Sequence, residues 1–479
     1  MFFEINRFHL FVLITWQFSI FFGSQMIFSI FSNYTPRWRC GSKGPFTFDC
    51  SVYANCTDIQ FEDRMHESAV LEYNMICKNS WKASLFDQVQ FFGVLLGTQI
   101  YGALSDTYGR KPFAILALGS GILFTFISGL IQKWEYIVAS RFVVGLAMGG
   151  TVVGVCTFVM EMLLPKQRMA LRAFFNWGVA RLLMTLICWA FPDWRTSTYV
   201  NAAAALPAFL IVVFILPESP TWLLSKGRLS DIEKSDKKIA KVAGIPYVKK
   251  ERKIPEKSRR LLDVIRIPEY RKRLLVLWMM WFTAALCGYG TDLISNRITG
   301  HLYINQVIFS VVIAVSKIIL VTYDTLNEKF NRRKLHQYSQ AFCCLFFFLT
   351  GVLLILGYEG APIIVCSALG TVFNEYTWDA CYLCAVETMP TSMRASSLGS
   401  CSFIARFGSL CSPFLSYMTS IWRPATYLVV VVLGIINLIV SCLFLVETKN
   451  VNLEEVGETR RTQNEQEMTQ MIDDGNTTS

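Results

Sequence analysis

The sequence predicts an all-α membrane protein of twelve transmembrane helices, arranged as two six-helix halves. Three observations carry this: an apolar, charge-poor composition, twelve apolar blocks of membrane length, and short polar motifs that recur about half a chain apart. The chain has 479 residues, 53% hydrophobic and only 17% charged, with a positive mean hydropathy. A soluble chain carries about 25% charge. Here the apolar residues, 37 Phe among them, lie in long blocks such as Phe11 to Phe31 and Tyr427 to Leu445. Such blocks cross ~30 Å of hydrocarbon at ~1.5 Å per residue. A water-soluble globule, a disordered chain and a collagen-like chain are excluded.

Taken in order, the blocks predict spans near 10–31, 85–105, 113–131, 136–160, 170–191, 198–216, 274–294, 303–323, 338–357, 361–386, 396–420 and 425–446. The first is longer than a signal peptide's apolar region, contains Thr15, Gln17 and Gln25, and has no small-x-small cleavage site after it. It reads as a retained span, with the mature chain starting at or near Met1. Residues 217–273 hold 17 Lys or Arg against 8 Asp or Glu, an excess of 9 beside +10 for the whole chain. Arg110, Lys111, Lys166, Arg168, Arg332, Arg333 and Lys334 fall on the same side, whereas the short opposite loops carry little beyond Lys133, Arg297 and Arg423. The positive-inside rule then puts both termini and the basic loop in the cytoplasm and loop 32–84 outside. The expected division is an N-terminal half 1–216, a basic linker 217–272, a C-terminal half 273–446 and a disordered cytoplasmic tail 447–479.

Of 15 Cys, four (Cys40, Cys50, Cys56, Cys77) share loop 32–84 and eleven lie in apolar blocks. The four can form two disulfides in an oxidising compartment, with three possible connectivities. Cys381-x-x-Cys384 lacks the strand-turn-helix setting of a redox motif and reads as packing. Asn33 and Asn55 head glycosylation acceptor patterns, and Asn55 is the better placed. His9, His66, His301 and His336 show no metal-ligand spacing, so neither a metal nor a cofactor is expected. No phosphate loop supports ATP hydrolysis, and no nucleic-acid motif accompanies the basic linker. The expected partners are the lipid bilayer and a small substrate.

Gly102-x-x-x-Asp106-x-x-Gly109-Arg110-Lys111 recurs as Asp324-x-x-x-Glu328-x-x-Asn331-Arg332-Arg333, an offset of 222 from Asp106 to Glu328. Glu161-x-x-x-Pro165-x-x-Arg168 recurs as Glu387-x-x-Pro390-x-x-x-Arg394 at 226, and Pro217-Glu218-Ser219 as Val446-Glu447-Thr448 at 229. Three pairs in register mark a duplication. Two such halves in the same orientation are the arrangement of a carrier whose halves rock about a central site.

These residues reach a family. The motif at 102–111 resembles the loop signature of the major facilitator superfamily, and Arg141-x-x-x-Gly145-x-x-x-Gly149-Gly150 resembles its fourth-span signature. Residues 217–228, Val70 to Cys77, Phe191 to Arg195, Glu447-Thr448-Lys449 and the long first loop resemble solute carrier family 22, the organic-ion transporters. Asn331 and Glu328 depart from that family's second loop motif. The resemblance implies the major facilitator fold, a plasma-membrane carrier and no enzymatic activity. It also implies a cytoplasmic latch in which Asp106 pairs with Arg141, with Arg110, Glu161, Arg168, Glu387 and Arg394 as further gating residues.

Three basic residues lie within spans: Arg181, Lys317 and Arg406. An isolated Lys or Arg in hydrocarbon costs ~2.5–3.5 kcal/mol even on the lenient insertion scale, so each must face a cavity or a partner. Lys317, after Tyr303 to Phe309, and Arg406, in Ala405-Arg406-Phe407-Gly408-Ser409, both resemble the organic-anion branch, where cations stand at these places. Arg406, Lys317, Arg181, Tyr289, Tyr382 and Trp177 are therefore the candidate substrate contacts, the aromatics meeting the apolar body of an amphipathic anion. The rival reading of these cations is that they only neutralise Asp292, Glu375 or Asp379; as a function, a cation or zwitterion carrier of the same family is the second reading, favoured by those three carboxylates and opposed by Arg406. A transport-dead membrane binding protein is a third reading. A polytopic membrane enzyme is a fourth, without a nucleophile and acid-base pair to support it.

Overall fold

A bilayer offers no hydrogen bonds, so each apolar block must satisfy its own backbone and becomes a helix. The computed structural model describes residues 5–42, 44–62, 65–248, 261–298, 300–327 and 331–445. Glu328, linker residues 249–260, the Glu447-Thr448-Lys449 motif and the tail 447–479 lie outside them. Span 1 is Arg7–Ser32. Span 2 is Ser80–Tyr108 and span 3 is Arg110–Leu130. Span 4 is Trp134–Met162. Span 5 comprises Pro165–Phe174 and Trp177–Ala190, and span 6 is Trp194–Ile215. Spans 7 to 12 are Pro268–Leu293, Leu302–Leu326, Arg332–Ile355, Ala361–Thr388, Thr391–Ile421 and Ala425–Phe444. Eight of the twelve are long and apolar enough to cross a membrane by composition alone. Spans 2, 5, 10 and 11 are not among them, and these carry the ionisable residues Asp87, Arg181, Glu375, Asp379 and Arg406.

Two departures from expectation have local causes. The fifth block is not one helix: Asn176 accepts a hydrogen bond from the Val179 amide at 3.2 Å, capping a new helix and ending the previous one. Nor is the chain wholly α-helical: the first loop holds a small sheet. Its strands β1 (Trp38–Cys40) and β2 (Ile59–Phe61) pair antiparallel, and Cys40–Cys56 and Cys50–Cys77 are the disulfides. This resolves the connectivity. Asn55 is exposed, but the Asn33 side-chain nitrogen donates to Asp87 at 3.0 Å. Of the two acceptor candidates Asn55 is therefore the more accessible.

Spans 2 and 4 touch backbone to backbone. A Cβ at Gly97 would stand 2.2 Å from the Leu146 carbonyl oxygen, and one at Gly145 would stand 2.1 Å from that of Gln90. Only glycine allows this approach. The buried core of spans 1 to 6 reaches across the seam to Leu293, Leu302 and Tyr303, while spans 7 to 12 build cores around Met280 and Phe347. The bundle has a loop end, which carries residues 33–42, 44–62 and 65–79, and a linker end, which carries residues 217–248 and 261–267.

Candidate functional site between the halves

At the linker end each half has its own charge triad. Arg110 meets Asp106 at 2.5 Å and Glu161 at 3.2 Å. Glu161 also accepts from Ser219, and Glu218 takes the Arg110 and Lys111 amides at 3.0 and 3.1 Å. In the second half Arg332 meets Asp324 and, at 3.2 Å, Glu387. The repeat is therefore realised with Arg332 for Arg110, Glu387 for Glu161, and an acid one helical turn earlier than the motif register. Arg168 donates to the Met160 carbonyl. Arg394, whose Nε has no hydrogen-bond partner among the described residues, joins no ion pair there.

Asp106 does not pair with Arg141. Span 4 begins at the loop end, so Arg141 lies about 10 Å below that end, seven residues at ~1.5 Å each, whereas Asp106 closes span 2 at the linker end. Arg141 is fully buried, with its guanidinium 5.1 and 5.2 Å from the rings of Phe28 and Phe86. Its charged neighbour is Asp87, at the same depth of span 2.

The three intramembrane cations fare differently. Arg181 bonds Asp292 at 2.5 Å and Gln306 at 2.7 Å, joining span 5 to spans 7 and 8. Lys317 is clasped by Glu375 at 2.9 Å and Asp379 at 2.7 Å, and also donates to the Glu375 carbonyl. Both are thus paired with carboxylates within the chain, as the rival reading of them has it. Arg406, midway along span 11, has no carboxylate partner among the described residues, and its Nε has no hydrogen-bond partner there. It faces Tyr289 of span 7 and Cys156 of span 4.

Cys156 follows a π-helical turn, Thr151–Val155, the kind of bulge that re-aims a helix at functional sites. Gly154 within that turn is buried, yet a Cβ there would meet no heavy atom within 4 Å. The bulge of span 4 thus borders internal open space. Tyr289 stands edge-on to Phe91 at 5.3 Å and reaches Met26, so it links spans 1, 2 and 7. Trp177 packs against the N-half core, and Tyr382, two-fifths exposed, stands 6.2 Å from Trp281. Gly408 serves packing, since its Cβ position lies 2.6 Å from the Phe282 carbonyl.

At the loop end the halves are bridged by groups that hydropathy does not single out. His66 is fully buried and its Nδ1 lies 2.9 Å from the Tyr303 hydroxyl, which donates to the Met65 carbonyl. Burial pushes the His66 pKa down from 6.5 to about 4, opposed by the charge of Asp193. Asn296 donates to the Ile30 carbonyl at 3.0 Å, and Arg37 grips Glu359 at 3.1 Å. Beneath the loop lies a cavity of about 720 Å³.

Residues 46–459 match the Sugar (and other) transporter family. An uncharacterised protein of Caenorhabditis elegans is 34% identical over 480 residues, 94% of each chain. An organic cation transporter-like protein of Drosophila melanogaster is 27% identical over 87% of this chain and 76% of its own. The human solute carrier family 22 member 16 is 27% identical over 77% and 66%. Among solved structures, the xylose transporter XylE from E. coli in a partially occluded inward-open conformation superposes with a TM-score of 0.65 at 15% identity, covering 94% of this chain and all of that one.

Proposed function

The chain belongs to the Sugar (and other) transporter family, with relatives named as solute carrier family 22 members, and on that premise we propose that it carries small organic anions across the plasma membrane by alternating access. It is a membrane transporter of the major facilitator superfamily and not an enzyme. The loop end faces outward and the linker end the cytoplasm, because the linker holds the basic excess. The duplicated halves are 1–216 and 273–446; each triad stiffens its own half, so that the halves move as bodies about the seam.

The observation that carries the anion reading is Arg406. A permanently charged guanidinium at mid-span without a carboxylate needs an anionic ligand, and its planar fork suits a carboxylate. Tyr289 supplies a hydroxyl and a ring at the same place. A second reading rests on the Lys317 cluster. Two carboxylates against one ammonium leave one excess negative charge in the same half as Arg406, which would receive the cationic end of a zwitterion while Arg406 held its carboxylate.

Purified protein in liposomes, offered labelled benzoate, a quaternary ammonium cation and a zwitterion of both groups, separates the readings. Uptake of benzoate supports the anion reading. Uptake of the zwitterion alone selects the second, and uptake of the cation alone removes both.

A further inference from the structure

The loop-end cavity is lined by three arginines, Arg37, Arg297 and Arg423, and three acids, Asp49, Asp87 and Glu359. The acids are engaged. Asp49 accepts from the Ser51 amide at 2.9 Å and caps a short helix. Asp87 accepts from Asn33 and lies beside Arg141. Glu359 holds Arg37 through both oxygens at 3.1 Å and stands 3.7 Å from Arg423. Arg297 differs: it is in no ion pair among the described residues, and its charged neighbour is a second cation, Arg423.

With Asp49 and Asp87 engaged elsewhere, three guanidinium groups share the single carboxylate of Glu359, a surplus of positive charge that costs energy away from bulk water unless a further anion joins it. Arg423 also stands over the Phe48 ring at 5.3 Å, and Arg37 stands over the same ring at 5.8 Å. Trp38, Phe46 and Tyr417 add apolar wall to the same space. A cavity of about 720 Å³ is of the size that holds a small organic molecule.

We propose that Arg297 and Arg423 form an outer binding site for the carboxylate of an aromatic organic anion, distinct from the site at Arg406. The site rests on the anion reading only for its role in transport, where it would concentrate substrate at the loop end before the halves move. Binding itself depends on neither Arg406 nor turnover. The disulfide-braced loop supplies one wall and spans 7 and 11 the other, so the site exists only while the Arg37–Glu359 contact holds the loop over the cavity.

Equilibrium binding of labelled benzoate to the purified full chain tests this. The Arg406→Ala variant is expected to retain benzoate binding, and adding Arg297→Gln is expected to weaken that residual binding about tenfold, the loss of one charge-assisted hydrogen bond. Arg297→Lys in the same background should restore most of it, which a misfolded variant would not do. Residual binding that ignores Arg297→Gln, or its absence in folded Arg406→Ala, overturns the outer site. Failure of wild-type benzoate uptake with the residual binding intact would instead overturn the transport reading and leave this site standing.

Discussion

Lys317 and Arg406 pose the same problem, a basic side chain deep in a membrane span, and the protein solves it in opposite ways. Lys317 is closed off by Glu375 and Asp379 on span 10, at 2.9 and 2.7 Å. Arg406 points toward Tyr289 and the bulge of span 4, with no acid to meet it among the described residues. A charge whose partners are built into the chain holds helices together, whereas one left without a partner is available to something that comes and goes. Burial alone does not separate the two roles; the count of opposite charges around each does.

The largest test of this contrast is stability. Lys317→Ala leaves two carboxylates facing each other and should cost about 3–5 kcal/mol, as breaking a buried pair does. Size-exclusion profiles and thermal unfolding of detergent-solubilised protein would read it, and Glu375→Gln with Asp379→Asn in the same chain should recover most of the loss. Arg406→Ala should fold as wild type. Equal stability of Lys317→Ala and wild type would erase the distinction.

A second test uses the loop end, where a neutral pair, His66 with Tyr303, bridges the seam beside the Arg37–Glu359 ion pair. His66 meets the Tyr303 hydroxyl, with Asp193, Glu67 and His301 as the titratable groups around it. In the closed form its pKa is about 4 rather than 6.5. The closure is therefore fully present above pH 6.5 and is lost progressively as pH falls toward 4. Between pH 7.5 and 5 the open fraction should rise about 25-fold. Labelling of Asn296→Cys from the loop side, normalised to the same reaction with His66→Gln, should show that rise. A flat ratio would mean that His66 does not gate.

The smallest effect concerns the surplus charge. Glu375→Gln leaves a neutral Lys317–Asp379 pair, so expression should hold while benzoate uptake rises roughly two- to fivefold, a change of about 0.4–1 kcal/mol. A fall in zwitterion uptake in the same variant would sharpen the second reading.

The twelve spans, the duplication and the basic linker are legible in the sequence because hydropathy and charge asymmetry act locally. The break at Asn176 is not, since an apolar block continues through it and only the cap geometry ends the helix. Resemblance pairs Arg141 with Asp106, although counting from the loop end of span 4 puts it beside Asp87 instead. The carboxylates Asp292, Glu375 and Asp379 are visible in the sequence, but which cation each takes depends on helix rotation. His66 and Tyr303 lie 237 residues apart and carry no charge pattern, so nothing short of the fold brings them together.

The central claim is that Arg406 holds the substrate's carboxylate, and initial rates of benzoate uptake at equal surface expression test it most directly. Loss of a charge-assisted contact worth about 1.5–3 kcal/mol predicts that Arg406→Ala lowers kcat/KM about 10- to 100-fold, with Arg406→Lys between it and wild type. Wild-type uptake rates in Arg406→Ala would contradict the account.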